Sequence, residues 1–575
     1  MLLNANTVSN LLMRYVTIAI ICVSHAVAGE HPDFGPNVRV LEPGSPDAQR
    51  EIDSIFATQE SGEFNANRYA ILLKPGRHDL NIHIGFYTQV AGLGSEPGQA
   101  QVFGTLESRA AWKKNNNATC NFWRSAENLA VTPTLDSNTS TWAVSQGAWL
   151  RRLHIKGNIN LWDGGWSSGG FIADSVIDGV INSGSQQQWF SRNAAWEKWQ
   201  GGNWNMVFVG VENPPPGEWP AQPYTVIDRT PIVREKPYLF FENDNYFVMV
   251  PPLQRDRRGV SWTGDAQRGE RIPIERFHVA RSDRDTAVTI NAQLESGKHI
   301  LFTPGNYQID QPINVSRPDT IVLGLGYPTL VATSGNVIMR LADVDGLKIA
   351  GLLFEASEKE SPNLLEVGEP GSTADHSKNP TFLFDISCRA GGAQNGRCRT
   401  FVTIHSSHVV GENLWLWRAD HGAGAKWDSN RNAHGLIVNG DDVTMYALFV
   451  EHCQEYQTIW NGERGRVYFY QSEMPYDPPS VKEWMNGSVR GFASYKVADH
   501  VKDHEAIALG VYCVFLDAPI IADTAIEAPQ TPGVRLRNMI AVRLNGKPES
   551  GINRVLNDLG EPVIHSKTSK LLSNK

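Results

Sequence analysis

The sequence predicts an all-β protein built from two tandem right-handed parallel β-helices. Three observations carry this: an order of segments that occurs twice, short β-rich runs punctuated by Gly, Asn and Asp, and almost no helical periodicity. The first copy of the order opens with Ala48-Gln49-Arg50-Glu51-Ile52, continues through residues 69–78 and reaches Gly92-Leu93-Gly94. The second opens with Ala287-Val288-Thr289-Ile290-Asn291, continues through residues 298–307 and reaches Gly324-Leu325-Gly326. In each, a short helix leads to an apolar strand (Ile71-Leu72-Leu73 and Ile300-Leu301-Phe302), a Pro-Gly turn, a further strand and a Gly-Leu-Gly bend. Chance produces one such match easily, but not three in the same order.

Beyond each copy, runs such as Leu347-Lys348-Ile349-Ala350-Gly351-Leu352-Leu353-Phe354 and Val443-Thr444-Met445-Tyr446 alternate with turn residues. Each fits one coil of a solenoid, whose inward side chains are buried by the neighbouring coils. A β-sandwich with Greek-key links is the competing architecture, and the doubled order favours two β-helices. They are expected over residues 29–253 and 277–575, with 254–276, rich in Arg, Gly and Asp, as a linker. A chain of 575 residues is long enough for more than one core. Its 41% hydrophobic and 20% charged residues mark it as packed rather than disordered.

The N-terminus reads as a signal peptide over residues 1–28. Arg14 precedes an apolar run from Tyr15 to Val23, and Ala26-Val27-Ala28 supplies small residues for cleavage before Gly29. The run is short for a membrane span, so a secreted, monomeric protein without stable membrane association is expected. A formal net charge of −9 argues against a nucleic-acid partner. Five cysteines follow the signal: Cys120, Cys388, Cys398, Cys453 and Cys513. Cys388 and Cys398 flank a Gly-rich loop and are the expected disulfide of an oxidising compartment. Sequons beginning at Asn117, Asn138, Asn314 and Asn486 would be glycosylated in a eukaryotic host.

Two features point to carbohydrate chemistry. Among 17 tryptophans, Trp162, Trp166 and Trp460 sit in Gly-, Ser- or Asn-rich contexts, where an indole can stack on a pyranose ring or simply fill a core. Glu451 and Glu473 lie 22 positions apart, close to one β-helix coil. Stacked on adjacent rungs, ~4.8 Å apart in backbone position, they cannot both ionise freely. One then keeps a proton near neutrality, as a general acid for glycosidic cleavage must. Glu455, nearby, reads as solvated. His405, His408, His421, His434 and His452 show no repeating ligand spacing, so no metal and no cofactor is expected.

These residues resemble those of glycoside hydrolase family 55, the β-1,3-glucanases with two tandem pectate-lyase-like β-helices. The resemblance rests on Val450-Glu451-His452, Tyr456-Gln457, Gln471-Ser472-Glu473-Met474-Pro475-Tyr476, Trp415-Leu416-Trp417-Arg418-Ala419-Asp420-His421 and Gln187-Gln188-Trp189-Phe190-Ser191-Arg192-Asn193. It runs thinly over most of the chain after residue 28. It implies an inverting hydrolase of a polysaccharide substrate, with Glu473 as general acid and Glu451 organising the site and its water. Gln187, Gln188 and Ser185 are the residues implied to hold that water, in a cleft between the two helices. A stacked amide ladder is the other reading of the Gln run. Asp420, His421, Asp442 and Tyr476 are candidate subsite residues. Trp460-Asn461-Gly462-Glu463-Arg464-Gly465-Arg466 and Tyr476-Asp477-Pro478-Pro479 depart from the family's pattern where subsites should lie. Two other functions stay open on this scaffold: a polysaccharide lyase using Arg464 and Arg466, and a glycan-binding protein without activity.

Overall fold

The computed structural model describes residues 31–263 and 269–574; the expected signal peptide lies outside them. Pro32–Lys575 forms one compact unit. Both solenoids are present. The first stacks nine parallel strands along one ladder, from Val38–Leu41 and Tyr69–Leu73 through Trp149–Ile155 and Gln188–Arg192 to Tyr224–Ile227. The second begins at Phe277–Ala280 and stacks ten parallel strands up to Gly533–Gly546, closed by the antiparallel Thr568–Ser573.

The doubled helices close the two open ends. α1 (Ala48–Gln59) buries Ala48, Ile52, Ile55 and Gln59, one face of a 3.6-residue period. α2 (Ala287–Glu295) buries Ala287, Ile290 and Leu294, and Thr286 and Thr289 form a reciprocal cap at its N-terminus. Each thus covers coil residues that no further coil would bury.

The segment expected to be a patternless linker is structured. Gln254–Arg257 pairs antiparallel with Thr230–Val233, and Glu270–Pro273 completes a three-stranded antiparallel sheet with Tyr238–Glu242 and Asn245–Val250. Its charged residues read as linker because its two short strands bury only Ile272.

Coils of the second helix turn at single left-handed residues. Asp385, Asn413, Ala447, Phe469, Ala508 and Asn538 have φ of 52, 56, 55, 73, 62 and 58°. Asn and Asp tolerate this conformation; Ala and Phe do so at a cost of about 1–2 kcal/mol each, which burial of Ala447, Phe469 and Ala508 offsets. After each corner, alternate residues turn outward. Leu416, Val450 and Val511 enter the solenoid core, whereas Trp415, Trp417, Phe449, Glu451, Gln471 and Glu473 point the other way.

That outward face is nonetheless buried, because the first helix packs on it. Phe122, Trp123, Trp149, Phe171 and Phe190 from the first half join Tyr327, Phe384, Trp415, Trp417 and Phe449 from the second in one apolar cluster. A buried ion network runs beside it. Arg151 grips Asp385 at 2.8 and 2.9 Å and also reaches Glu412; Arg192 reaches Glu412 at 2.5 Å and Glu235 at 2.7 Å; Lys236 bridges Glu127 at 2.6 Å and Asp385 at 3.1 Å. Such a network specifies how the halves meet more than it adds stability.

The expected disulfide is absent. Cys388 and Cys398 are buried free thiols, and Cys398 Sγ donates to the Thr400 carbonyl at 2.9 Å. They sit on strands of different sheets and serve as small apolar core residues.

Candidate active site

The 22-residue spacing is a coil. Trp417, Glu451, Glu473 and Tyr512 occupy one column on four successive strands, with Glu451 directly opposite Glu473. The Trp417, Glu451 and Glu473 side chains reach a cleft of about 280 Å³ that is also lined from the first half by Thr119, Cys120, Phe122, Gln146, Ser168 and Gln187, and from the second by Asp420, His421, His452, Tyr476 and Leu544. Neither solenoid forms it alone.

Glu451 is held from both sides. Gln146 Nε2 donates to its Oε1 and Trp415 Nε1 to its Oε2, each at 2.8 Å. Gly147 lets the Gln146 loop come this close: it has φ of +68°, and a Cβ there would lie 2.8 Å from the Trp415 ring. Ser168 Oγ bonds Ser145 Oγ at 2.6 Å and donates to Gln146 Oε1 at 3.4 Å, which orients the amide. Glu473 accepts the Tyr476 hydroxyl and a weak N–H from Gln471 at 3.4 Å. Tyr476 meets the His452 ring edge-on at 4.4 Å, and Arg418 anchors the following Asp477 by two bonds of 2.8 Å.

Burial pushes both carboxyls above the usual range. For Glu451 the Glu473 charge adds to burial, while Trp415 and Gln471 oppose it. For Glu473 the nearby Asp420 also raises the value, and His452 and Tyr476 oppose it. The two carboxyls are therefore coupled, and each keeps its proton to higher pH than a free carboxyl would. Glu451 accepts two full-strength N–H donors, which favour the carboxylate form. Glu473 has one close donor, Tyr476 at Oε2, and only the weak Gln471 contact at Oε1. Asp420 is held down to about 2: burial works against it, but the His421 hydrogen bond and His452 prevail. His421 bridges Asp420 at 2.9 Å and Glu63 of the first half at 2.8 Å. Burial opposes its charge, yet Asp420, Cys120 and Glu63 push it up to about 12, so it stays cationic.

Of the residues expected from sequence, Glu451, Glu473, Gln187, Asp420, His421 and Tyr476 converge on the cleft. Gln188 does not line it. It is buried and donates Nε2–H to the Ser168 carbonyl, while Gln186 bonds the Val144 and Leu161 carbonyls, so both are internal amides tied to backbone. Ser185 is tied to the Gly165 carbonyl. Trp460 is no sugar platform: it is fully buried in the second core against His504, 4.8 Å away. Trp162 is half-buried over Gly184. Trp166 is 60% exposed, two residues before Ser168. Arg464 and Arg466 lie at the far end of the Glu473 strand, paired with Asp441, Asp442 and Asp503, and do not face the cleft. Gln146, Ser168, Trp417 and His452 were missed as site residues. Trp417 and His452 stood inside recognised motifs; Gln146 and Ser168 carried no signal, because docking of the halves alone gives them a role.

Two solenoids joined over a cleft with a buried acid pair define a β-helix enzyme of glycoside hydrolysis. The family model of the LAM55 pectate lyase-like domain matches residues 277–473, ending on Glu473. An exo-beta-1,3-glucanase of Streptomyces sp. (strain SirexAA-E / ActE) is 45% identical over 535 residues, 92% of this chain and 87% of that protein. The structure of sacteLam55A from Streptomyces sp. SirexAA-E matches with a TM-score of 0.92 at 43% identity, covering 94% of this chain and 99% of that one. A glutamate-to-alanine variant of sacteLam55A in complex with glucose matches with a TM-score of 0.91 at 43% identity, covering 94% and 98%. The chain belongs to glycoside hydrolase family 55.

Proposed function

We propose that this enzyme hydrolyses β-1,3-glucan with inversion, using Glu473 as general acid. The observation that carries the reading is the register pairing of two buried glutamates at a cleft built from both halves. Glu473 gives its proton to the glycosidic oxygen as the bond to the anomeric carbon breaks. Water attacks that carbon from the opposite face, positioned by Gln187, Gln146 and Ser168, and its proton leaves through the Glu451 carboxylate. The relative named as an exo-beta-1,3-glucanase supports the linkage and release from a chain end. A recess lined by Asp420, Lys426, Trp427, Tyr476, Asp477 and Leu516 shares two residues with the cleft and offers room for further sugar units. Exposed Trp166 is a platform for a sugar ring at the rim.

Glu473→Gln should abolish sugar release from β-1,3-glucan while leaving the fold intact, and an aryl glycoside with a good leaving group should restore part of the rate. Full activity on glucan would remove the assignment. Proton NMR of the first product should show the α-anomer. Secretion rests on residues 1–28, and N-terminal sequencing of the exported protein should begin at Gly29. Size-exclusion chromatography should give a monomer.

A further inference from the structure

Among the described residues, one group of His, Cys and carboxylate side chains converges closely enough to hold an ion. Glu63, Cys120 and His421 each offer one ligand atom, all within 4.8 Å of one another. The three are distant in sequence, so no ligand spacing reveals them. Glu63 and Cys120 come from the first solenoid and His421 from the second. All are partly accessible, and Cys120 and His421 line the catalytic cleft. We propose that Glu63, Cys120 and His421 form a site for a thiophilic divalent cation, Zn²⁺ best, at the rim of the cleft.

The surroundings are those of a metal site. Asp420 accepts from His421 Nδ1 at 2.9 Å, which fixes the ring with Nε2 aimed at Glu63, the outer carboxylate that metal-binding histidines commonly have. The rings of Phe64, Phe122 and Trp417 pack around the imidazole at 5.4–6.5 Å and limit its rotation. Lys113 Nζ donates to Cys120 Sγ at 2.6 Å, so the sulfur already serves as an acceptor at this spot. One thiolate, one imidazole and one carboxylate suit Zn²⁺ and exclude Mg²⁺ or Ca²⁺, which take oxygen ligands. Bonds of about 2.0–2.3 Å around a tetrahedral ion part its donor atoms by roughly 3.3–3.8 Å. The 2.8 Å Glu63–His421 contact therefore opens slightly as the ion displaces the Nε2 proton, and the otherwise cationic His421 binds as the neutral ring with Nδ1–H still on Asp420. The fourth position faces the cleft and takes water. An ion there occupies space beside Asp420 and Glu473 and blocks sugar entry; this inhibition rests on the proposed function, whereas binding does not.

Titration of the purified full-length enzyme with Co²⁺ tests binding directly. One equivalent should give a thiolate-to-cobalt charge-transfer band, which Zn²⁺ removes. The other four described cysteines are buried, so the band reports Cys120. Cys120→Ser should abolish the band, and Cys120→Ser and Glu63→Gln should each weaken Zn²⁺ binding at least tenfold. Lys113→Ala should tighten it by removing a neighbouring cation. No charge-transfer band up to millimolar Co²⁺, or Zn²⁺ affinity unchanged in both weakening variants, would overturn the site. Zn²⁺ should also inhibit sugar release, reversibly with a chelator. Cobalt binding without inhibition would keep the site and remove its effect on activity. A protein that binds cobalt but releases no sugar would contradict the proposed function alone.

Discussion

Tyr476→Phe isolates the control of the acid. Tyr476 donates its hydroxyl to Glu473 Oε2, a bond that favours the charged form and opposes the upward push of burial. A hydrogen bond to a charged group is worth about 1.5–3 kcal/mol. Tyr476 is only half-buried, so water replaces part of the loss and the lower end applies. At about 1.4 kcal/mol per pKa unit, the acid should titrate about one unit higher in the variant. It then keeps its proton to higher pH. The basic limb of the kcat/KM profile on a soluble β-1,3-glucan should move up by about one unit, while the acidic limb stays. That limb reports the free enzyme's acid. A basic limb that stays put, or moves down, would refute both the role of Tyr476 and the identity of the acid.

Four further outcomes follow from the geometry. Gln146→Ala removes one of two donors to Glu451, and kcat/KM should fall about 10- to 100-fold, matching a charged hydrogen bond of about 1.5–3 kcal/mol. Arg192→Met leaves Glu412 and Glu235 without their shared cation, and urea unfolding should show a loss of about 3–5 kcal/mol. For Asp385, burial raises the pKa but Arg151 and Lys236 prevail and hold it below the usual carboxylate range. Its stabilising contribution is therefore present above about pH 4, the unfolded value, and is lost as pH falls through the folded one, so the Tm difference between the protein and an Asp385→Asn variant should stay constant between pH 5 and 7 and shrink in acid. Cys120, Cys388, Cys398, Cys453 and Cys513 should all react as free thiols in denaturant, and a reductant should leave Tm unchanged.

The doubled order of helix, strand, Pro-Gly turn and bend was legible because each unit is a local pattern with its own turn chemistry. So was the stacking of Glu451 on Glu473, since coil length is written in residue spacing. What could not be read was which outward face would be covered. Trp460 sits among Asn and Gly like an exposed platform, yet its neighbours in space are His504 and the core. The disulfide failed for a related reason: Cys388 and Cys398 are close along the chain but belong to strands that different sheets claim. Gln188 and Gln187 are adjacent, and strand alternation sends one into the interior and the other into the cleft. Gln146, fixed only when two distant halves meet, has no local signature at all.

A single carboxylate clasped by an amide from one solenoid and an indole from the other works as a rivet. A hinge between the halves would have to break the 2.8 Å Gln146–Glu451 bond and expose the Arg151–Asp385 and Arg192–Glu412 pairs. The enzyme therefore meets its polymer as a rigid slot: the substrate must enter a space already shaped for it, and selectivity comes from what fits rather than from what closes.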